Sequence, residues 1–201
     1  MIGAAMGTQD EATPAAVVLV DARAASASGD PVPDVQSRDR GPDPHDVARR
    51  IVLRQLAMAP RSRAELLEKL AQRGCAVDVA ATVLDRMTQV GLVDDEAYAQ
   101  MLVRSQQATR GLAKSALARE LRAKGIENYV ADEALSLISD EDERDRARAL
   151  VDKKRRAMHG LGIDVQSRRL AGLLARKGYS SSVAYAVIRE AIADAPEHLP
   201  D

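Results

Sequence analysis

The sequence predicts an all-α chain: three tandem three-helix repeats in an elongated, solenoid-like stack, preceded by a disordered N-terminal tail. Three observations lead there. First, Arg73-Gly74, Lys124-Gly125 and Lys177-Gly178 superpose at offsets of 51 and 53 residues, and the agreement extends to both sides. A period of this length marks a repeat architecture. Second, Leu66 and Leu70, Leu117 and Leu121, and Leu170 and Leu174 stand eight and four residues before each glycine. Leucines four apart share one helix face. Third, a cation followed by Gly is a helix stop, because the cation complements the negative C-terminus and Gly accepts the left-handed C′ conformation. A second apolar stripe follows each stop (Val79-Ala80, Val130-Ala131, Val183-Ala184, then Leu84, Leu135, Ile188). Helices this short need each other's faces to be stable.

Residues 1–43 are rich in Ala, Gly, Pro, Ser and Asp without a sustained period, and are expected to be disordered. Repeat one (44–92) opens with a helix whose inner face is Ala48, Ile51, Val52 and Leu56, ended by Pro60. Ser62 and Glu65 form a predicted capping box for the second helix, which runs to about Arg73. The third covers about Val77 to Val90. Repeat two (93–139) begins at Asp94-Asp95-Glu96. Three acids suggest a metal or acid/base site, but they suit a helix N-terminus better, and convergent partners are lacking. Tyr98, Met101 and Leu102 give its buried face, and its last helix runs from about Asn128 to Ile138. Repeat three (140–193) starts with one long helix from Asp140 to Met158, acidic at 140–143 and basic at 153–156. Gly160 and Gly162 break it, Asp164 is the expected cap of the next helix, and the last helix ends near Ala193. An acidic tail, 194–201, follows.

Composition narrows the function classes. Hydrophobic residues make up 46% and aromatics only 2%, with no Phe or Trp, so the cores are aliphatic. The single cysteine, Cys75, excludes an internal disulfide and fits a reducing cytoplasm. It reads as a small buried apolar residue rather than a nucleophile. No run approaches the length of a membrane span. His45, His159 and His198 lie far apart, and no phosphate loop, nucleophile elbow or zinc cysteine pair occurs. No enzyme activity, cofactor or metal is expected.

Charge is the remaining signal. The net charge of −1 conceals a segment, 144–193, with 12 basic and 4 acidic residues. Such a segment points to a polyanion or an acidic protein surface. The candidate contacts are Arg110, Lys114, Arg119, Arg122 and Lys124 in repeat two. In repeat three they are Lys153, Lys154, Arg155, Arg156, Arg168, Arg169, Arg176 and Lys177. Without Phe or Trp there is no base-stacking platform, so backbone charge would dominate any nucleic-acid binding.

Taken together, several stretches resemble the RecX family of recombination regulators. They are Ala59-Pro60-Arg61-Ser62-Arg63-Ala64-Glu65-Leu66, and Gly91-Leu92-Val93-Asp94-Asp95-Glu96-Ala97-Tyr98-Ala99. Arg110-Gly111 and Leu173-Leu174-Ala175-Arg176-Lys177-Gly178-Tyr179-Ser180 continue the match, which spans about 44–193 in order. Tyr98 and Tyr179 stand where Phe is common in that family. The resemblance implies a curved, modular protein that binds the groove of the RecA filament on single-stranded DNA. It implies inhibition of filament assembly, ATPase and strand exchange, with double-stranded DNA a further candidate ligand and a monomer as the working state. Two other classes fit the residues alone: a helix-turn-helix transcription regulator built on Ser62 to Val90, and a protein-only helical-repeat scaffold. The first predicts a dimer and a defined operator, the second no salt-dependent DNA binding.

Overall fold

The computed structural model describes residues 41–194. The N-terminal tail expected over 1–43 and the acidic tail expected over 194–201 fall almost wholly outside that range. Asp43 is described, and it caps the first helix by accepting from the His45 amide at 3.0 Å.

Among the described residues there are nine α-helices and no strand. They are α1 (Pro44–Met58), α2 (Arg63–Gln72), α3 (Val77–Gln89), α4 (Asp95–Arg110), α5 (Lys114–Ala123), α6 (Asn128–Ser136), α7 (Asp140–Arg155), α8 (Ile163–Lys177) and α9 (Ser181–Ala193). The packing rule repeats: α1 and α2 lie on α3, α4 and α5 on α6, α7 and α8 on α9. Three separate aliphatic cores result. The repeated leucine pairs, Leu66/Leu70, Leu117/Leu121 and Leu170/Leu174, sit at their centres and are at most 1% exposed. Each such burial is worth roughly 2 kcal/mol, which short helices lack by themselves. Among the described residues no helix is long and apolar enough to cross a membrane.

Local chemistry explains the helix ends. Ser62 accepts from the Glu65 amide and Glu65 accepts from the Ser62 amide, the capping box that their spacing predicts. Asp94 caps α4 through the Ala97 amide at 2.8 Å. Two expectations need correction. Asp164 does not cap α8: the N-cap is Gly162, without a side-chain bond, and Asp164 lies inside the first turn where its charge complements the helix dipole. The first helix of repeat three ends at Arg155 and tightens into a 3-10 turn over Arg156–Met158, so it is not continuous to Met158. Its acidic start also contains a true capping box, Ser139 with Asp142.

The repeats are joined by one device used twice. At the first joint Ser62 Oγ donates to the Lys124 carbonyl at 2.6 Å, and the Arg63 amide donates to Asp95 Oδ1 at 2.8 Å. Lys124 Nζ meets Glu65 at 2.7 Å, and the Tyr98 hydroxyl reaches the same carboxylate at 3.2 Å. At the second joint Ser115 Oγ donates to the Gly178 carbonyl at 2.6 Å, and the Lys114 amide to Glu143 at 2.9 Å. The Ala113 amide bonds the Lys177 carbonyl at 3.0 Å, and the Tyr179 hydroxyl donates to the Gly111 carbonyl at 3.1 Å. In both joints the N-terminus of a second helix docks onto the Gly turn of the next repeat.

Glycine is required at these turns twice over. Gly125 and Gly178 have φ of 71° and 87°. A Cβ on Gly125 would collide with that of Ala64, and one on Gly178 would lie 2.7 Å from that of Ala116. Among the described residues no repeat covers the turn of repeat one, and a Cβ on Gly74 would meet nothing within 4 Å. This accounts for Cys75, expected buried but found half-buried, whereas its counterparts Ile126 and Tyr179 are 4% and 6% exposed.

Candidate functional site

The second joint creates a groove of about 610 Å3 between repeats two and three. One wall is the end of α4, from Gln107 to Gly111. The floor and second wall come from α7, through Arg146, Ala149, Leu150, Lys153, Lys154 and Ala157 just beyond it. Leu173 and Lys177 of α8 close it. The α7 set follows i, i+3, i+4, i+7 spacing, so it is one helix face. Among the described residues five cations, Arg110, Arg146, Lys153, Lys154 and Lys177, line this groove, and no carboxylate does.

The acids of repeat three are held elsewhere. Arg148 takes Asp152 at 3.1 Å, Asp194 at 2.8 Å and Glu190 at 3.9 Å, tying α7 to α9. Those contacts hold the Arg148 guanidinium above its usual pKa, chiefly through the Asp194 hydrogen bond. Among the described residues Lys153, Lys154 and Arg146 form no ion pair. The Arg146 Nη1 atom is buried and has no hydrogen-bond partner there. A guanidinium without a carboxylate partner leaves its charge available to the groove. Arg110 pairs with Glu120 at the groove's edge, and Lys177 Nζ donates to the Arg110 carbonyl at 2.5 Å. Cations around an aliphatic floor, without an aromatic ring, suit a phosphate-bearing chain and not base stacking.

The structure divides the remaining candidates. Lys114 and Lys124 work in the joints, Lys114 with Asp140 at 2.9 Å and Lys124 with Glu65. Arg119 is exposed beside a different, apolar groove, and Arg122 is exposed on α5. Arg155 is half-buried, and Arg156 is exposed in the 3-10 turn. Arg168, Arg169 and Arg176 are exposed on α8, and the spacing of Arg169 and Arg176 puts them on the side of Leu173. Sequence reasoning missed Arg146. Counting back seven residues from Lys153 along the same face would have found it.

The three repeats also match family models in order: the first, second and third three-helix domains of RecX cover residues 48–87, 94–135 and 140–188. The chain belongs to the RecX family. Relatives described as regulatory protein RecX include those of Streptomyces coelicolor and Mycolicibacterium vanbaalenii. The first is 48% identical over 79% of this chain and 86% of its own length, the second 45% over 85% and 94%. The crystal structure of RecX from Lactobacillus salivarius superposes with a TM-score of 0.69 at 22% identity, over 75% of this chain and 98% of its own, which speaks for the fold. A second RecX crystal structure, 26% identical, gives 0.65 over 74% and 72%. This is therefore a family of regulatory proteins.

Proposed function

We propose that this chain is a negative regulator of RecA. It binds the RecA filament on single-stranded DNA and inhibits filament assembly, ATP hydrolysis and strand exchange. Membership of the RecX family supports the regulatory reading. The groove with five cations and no carboxylate carries the mode of contact. DNA phosphates occupy that groove, with Arg169 and Arg176 extending the cationic side of α8 and Arg155 and Arg156 the end of α7. Fully engaged, the four groove cations without a carboxylate partner among the described residues give a slope of about −2.8 in log affinity against log salt on a single strand.

Steady-state ATP hydrolysis by the cognate RecA on single-stranded DNA, with this protein titrated in below one per RecA, tests the reading. Inhibition at substoichiometric amounts is expected. Unchanged hydrolysis at excess, with RecA active in the control, would sink it.

A further inference from the structure

Helix α8 has two working sides. Leu173 and Lys177 line the cationic groove, whereas Ile163, Ser167, Ala171 and Ala175 line a second groove against α9. At 3.6 residues per turn these two sets centre about 120° apart, on either side of the buried Leu170 and Leu174. The second groove encloses about 770 Å3, and its far wall is Tyr185, Ile188 and Ile192. Ile163 is 44% and Tyr185 71% exposed, so a continuous apolar strip meets solvent. Contiguous apolar surface of this kind marks an interaction site more often than single exposed side chains do. Its floor of Ser and Ala admits a partner backbone closely. Among the described residues the two charged ones that line it are Arg119 and Arg189, both exposed, and no carboxylate lines it. Among the described residues neither arginine forms an ion pair; the Arg189 guanidinium instead stands 6.0 Å from the centre of the Tyr185 ring.

We infer that this groove docks an apolar, carboxylate-bearing segment of RecA itself, while the cationic groove across α8 holds DNA phosphate; this rests on the RecA reading above. From Ile163 to Ala175 the floor is about 18 Å long, the length of a little over three helical turns. Apolar side chains of the segment pack on Ile163, Ile188 and Ile192, and its carboxylates meet Arg119 and Arg189. A second copy of this chain fits less well. A two-fold dimer through this face sets the same patch against itself, so it adds no carboxylate to a groove whose charges are both positive.

Ala171→Gln and Ala175→Gln test the inference, because both positions are exposed and each adds polar bulk to the floor without changing its charge or entering the core. Tyr185→Ser serves as a second, size-reducing variant. Binding to purified RecA, free and assembled on single-stranded DNA, is measured by fluorescence anisotropy, alongside binding to a labelled oligothymidylate alone. Each glutamine variant is expected to weaken RecA binding about tenfold or more, as a blocked apolar anchor does, with oligothymidylate affinity unchanged. Lys153→Glu with Lys154→Glu is expected to reduce oligothymidylate binding and leave the affinity for free RecA in place. Unchanged RecA affinity in all three groove variants would overturn the docking groove and leave the RecA reading standing. A wild-type chain that binds RecA in neither form removes both. A concentration-dependent dimer in sedimentation that Ala171→Gln abolishes would give the groove to a second copy, and also overturn the inference.

Discussion

Lys177 Nζ donates to the carbonyl oxygen of Arg110 at 2.5 Å, and these two residues stand on facing walls of the cationic groove. The bond satisfies a carbonyl that the end of α4 leaves without an intrahelical partner. It belongs to the same joint in which the Ala113 amide bonds the Lys177 carbonyl. The groove's width is therefore set by inter-repeat hydrogen bonds, not by the residues that offer free charge.

That division predicts which cations contact DNA. Lys154→Ala removes a cation without a carboxylate partner, and the salt slope of single-stranded DNA binding should fall by about 0.7. Arg146→Ala should do the same. Lys114→Ala removes a cation already held by Asp140 at 2.9 Å and should leave the slope unchanged. Anisotropy titrations across a salt series distinguish these outcomes; an equal effect from Lys114 would mean that the joint cations also contact phosphate.

The glycine turns give a graded prediction of stability. Gly125→Ala and Gly178→Ala add left-handed strain of about 1–2 kcal/mol to an overpacked joint of about 1–3 kcal/mol. Gly74→Ala, at φ 75° with open space around it, should show the strain alone. Denaturant melts of the three variants check the order. Equal losses at all three positions would show that the joints add nothing beyond backbone strain.

Much of this architecture is local and therefore legible in the sequence. The Leu pairs, the cation-Gly stops and the Ser62–Glu65 capping box each depend on residues within a dozen positions. The joints are not local. Ser62 and Lys124 are 62 residues apart, and the turn carbonyl that accepts from the Ser62 hydroxyl leaves no mark in residue type. Lys114 and Lys124 consequently read as free charge, although folding supplies each with an acid. Arg146 was hidden for the opposite reason. It lies in a mixed stretch with Arg144, Asp145 and Arg148, and only the helix face separates it from them. The cap expected at Asp164 failed because α8 begins an extra turn before the positions that align with the starts of α2 and α5.

The first joint should be sensitive to acid. Burial pushes the Glu65 carboxyl up, but hydrogen bonds from Lys124, Ser62 and Tyr98 with the Lys124 charge outweigh it and hold the group below its ordinary value of 4.5. A carboxyl depressed in the folded state contributes stability that is present above its unfolded pKa and is lost as pH falls through the folded one. The stability difference between the wild-type chain and Glu65→Gln should thus be largest near neutrality and shrink below about pH 4.5. Denaturant unfolding at a series of pH values measures it. A difference independent of pH would mean that Glu65 acts through packing and not through its charge.

Ser62 carries the largest single effect expected of a helix cap in this chain. Its side chain is fully buried, accepts from the Glu65 amide at 3.2 Å and donates to the Lys124 carbonyl at 2.6 Å. Ser139 has the same capping geometry at α7, accepting from the Asp142 amide at 2.9 Å, but it is exposed and serves only its own helix. Loss of an N-cap costs about 1 kcal/mol, which is the expectation for Ser139→Ala, where water can replace the missing oxygen. Ser62→Ala adds a buried carbonyl without its donor, a further 1–3 kcal/mol or so. The sum is about 2–4 kcal/mol, and the loss should fall on the contact between repeats one and two. Hydrogen exchange at the α2 and α5 ends, read together with the melts, locates it. Equal destabilisation by Ser62→Ala and Ser139→Ala would show that the bond to Lys124 contributes nothing, and that the first joint is held by the Arg63–Asp95 bond, the Lys124 and Tyr98 contacts to Glu65, and the Gly125 contact.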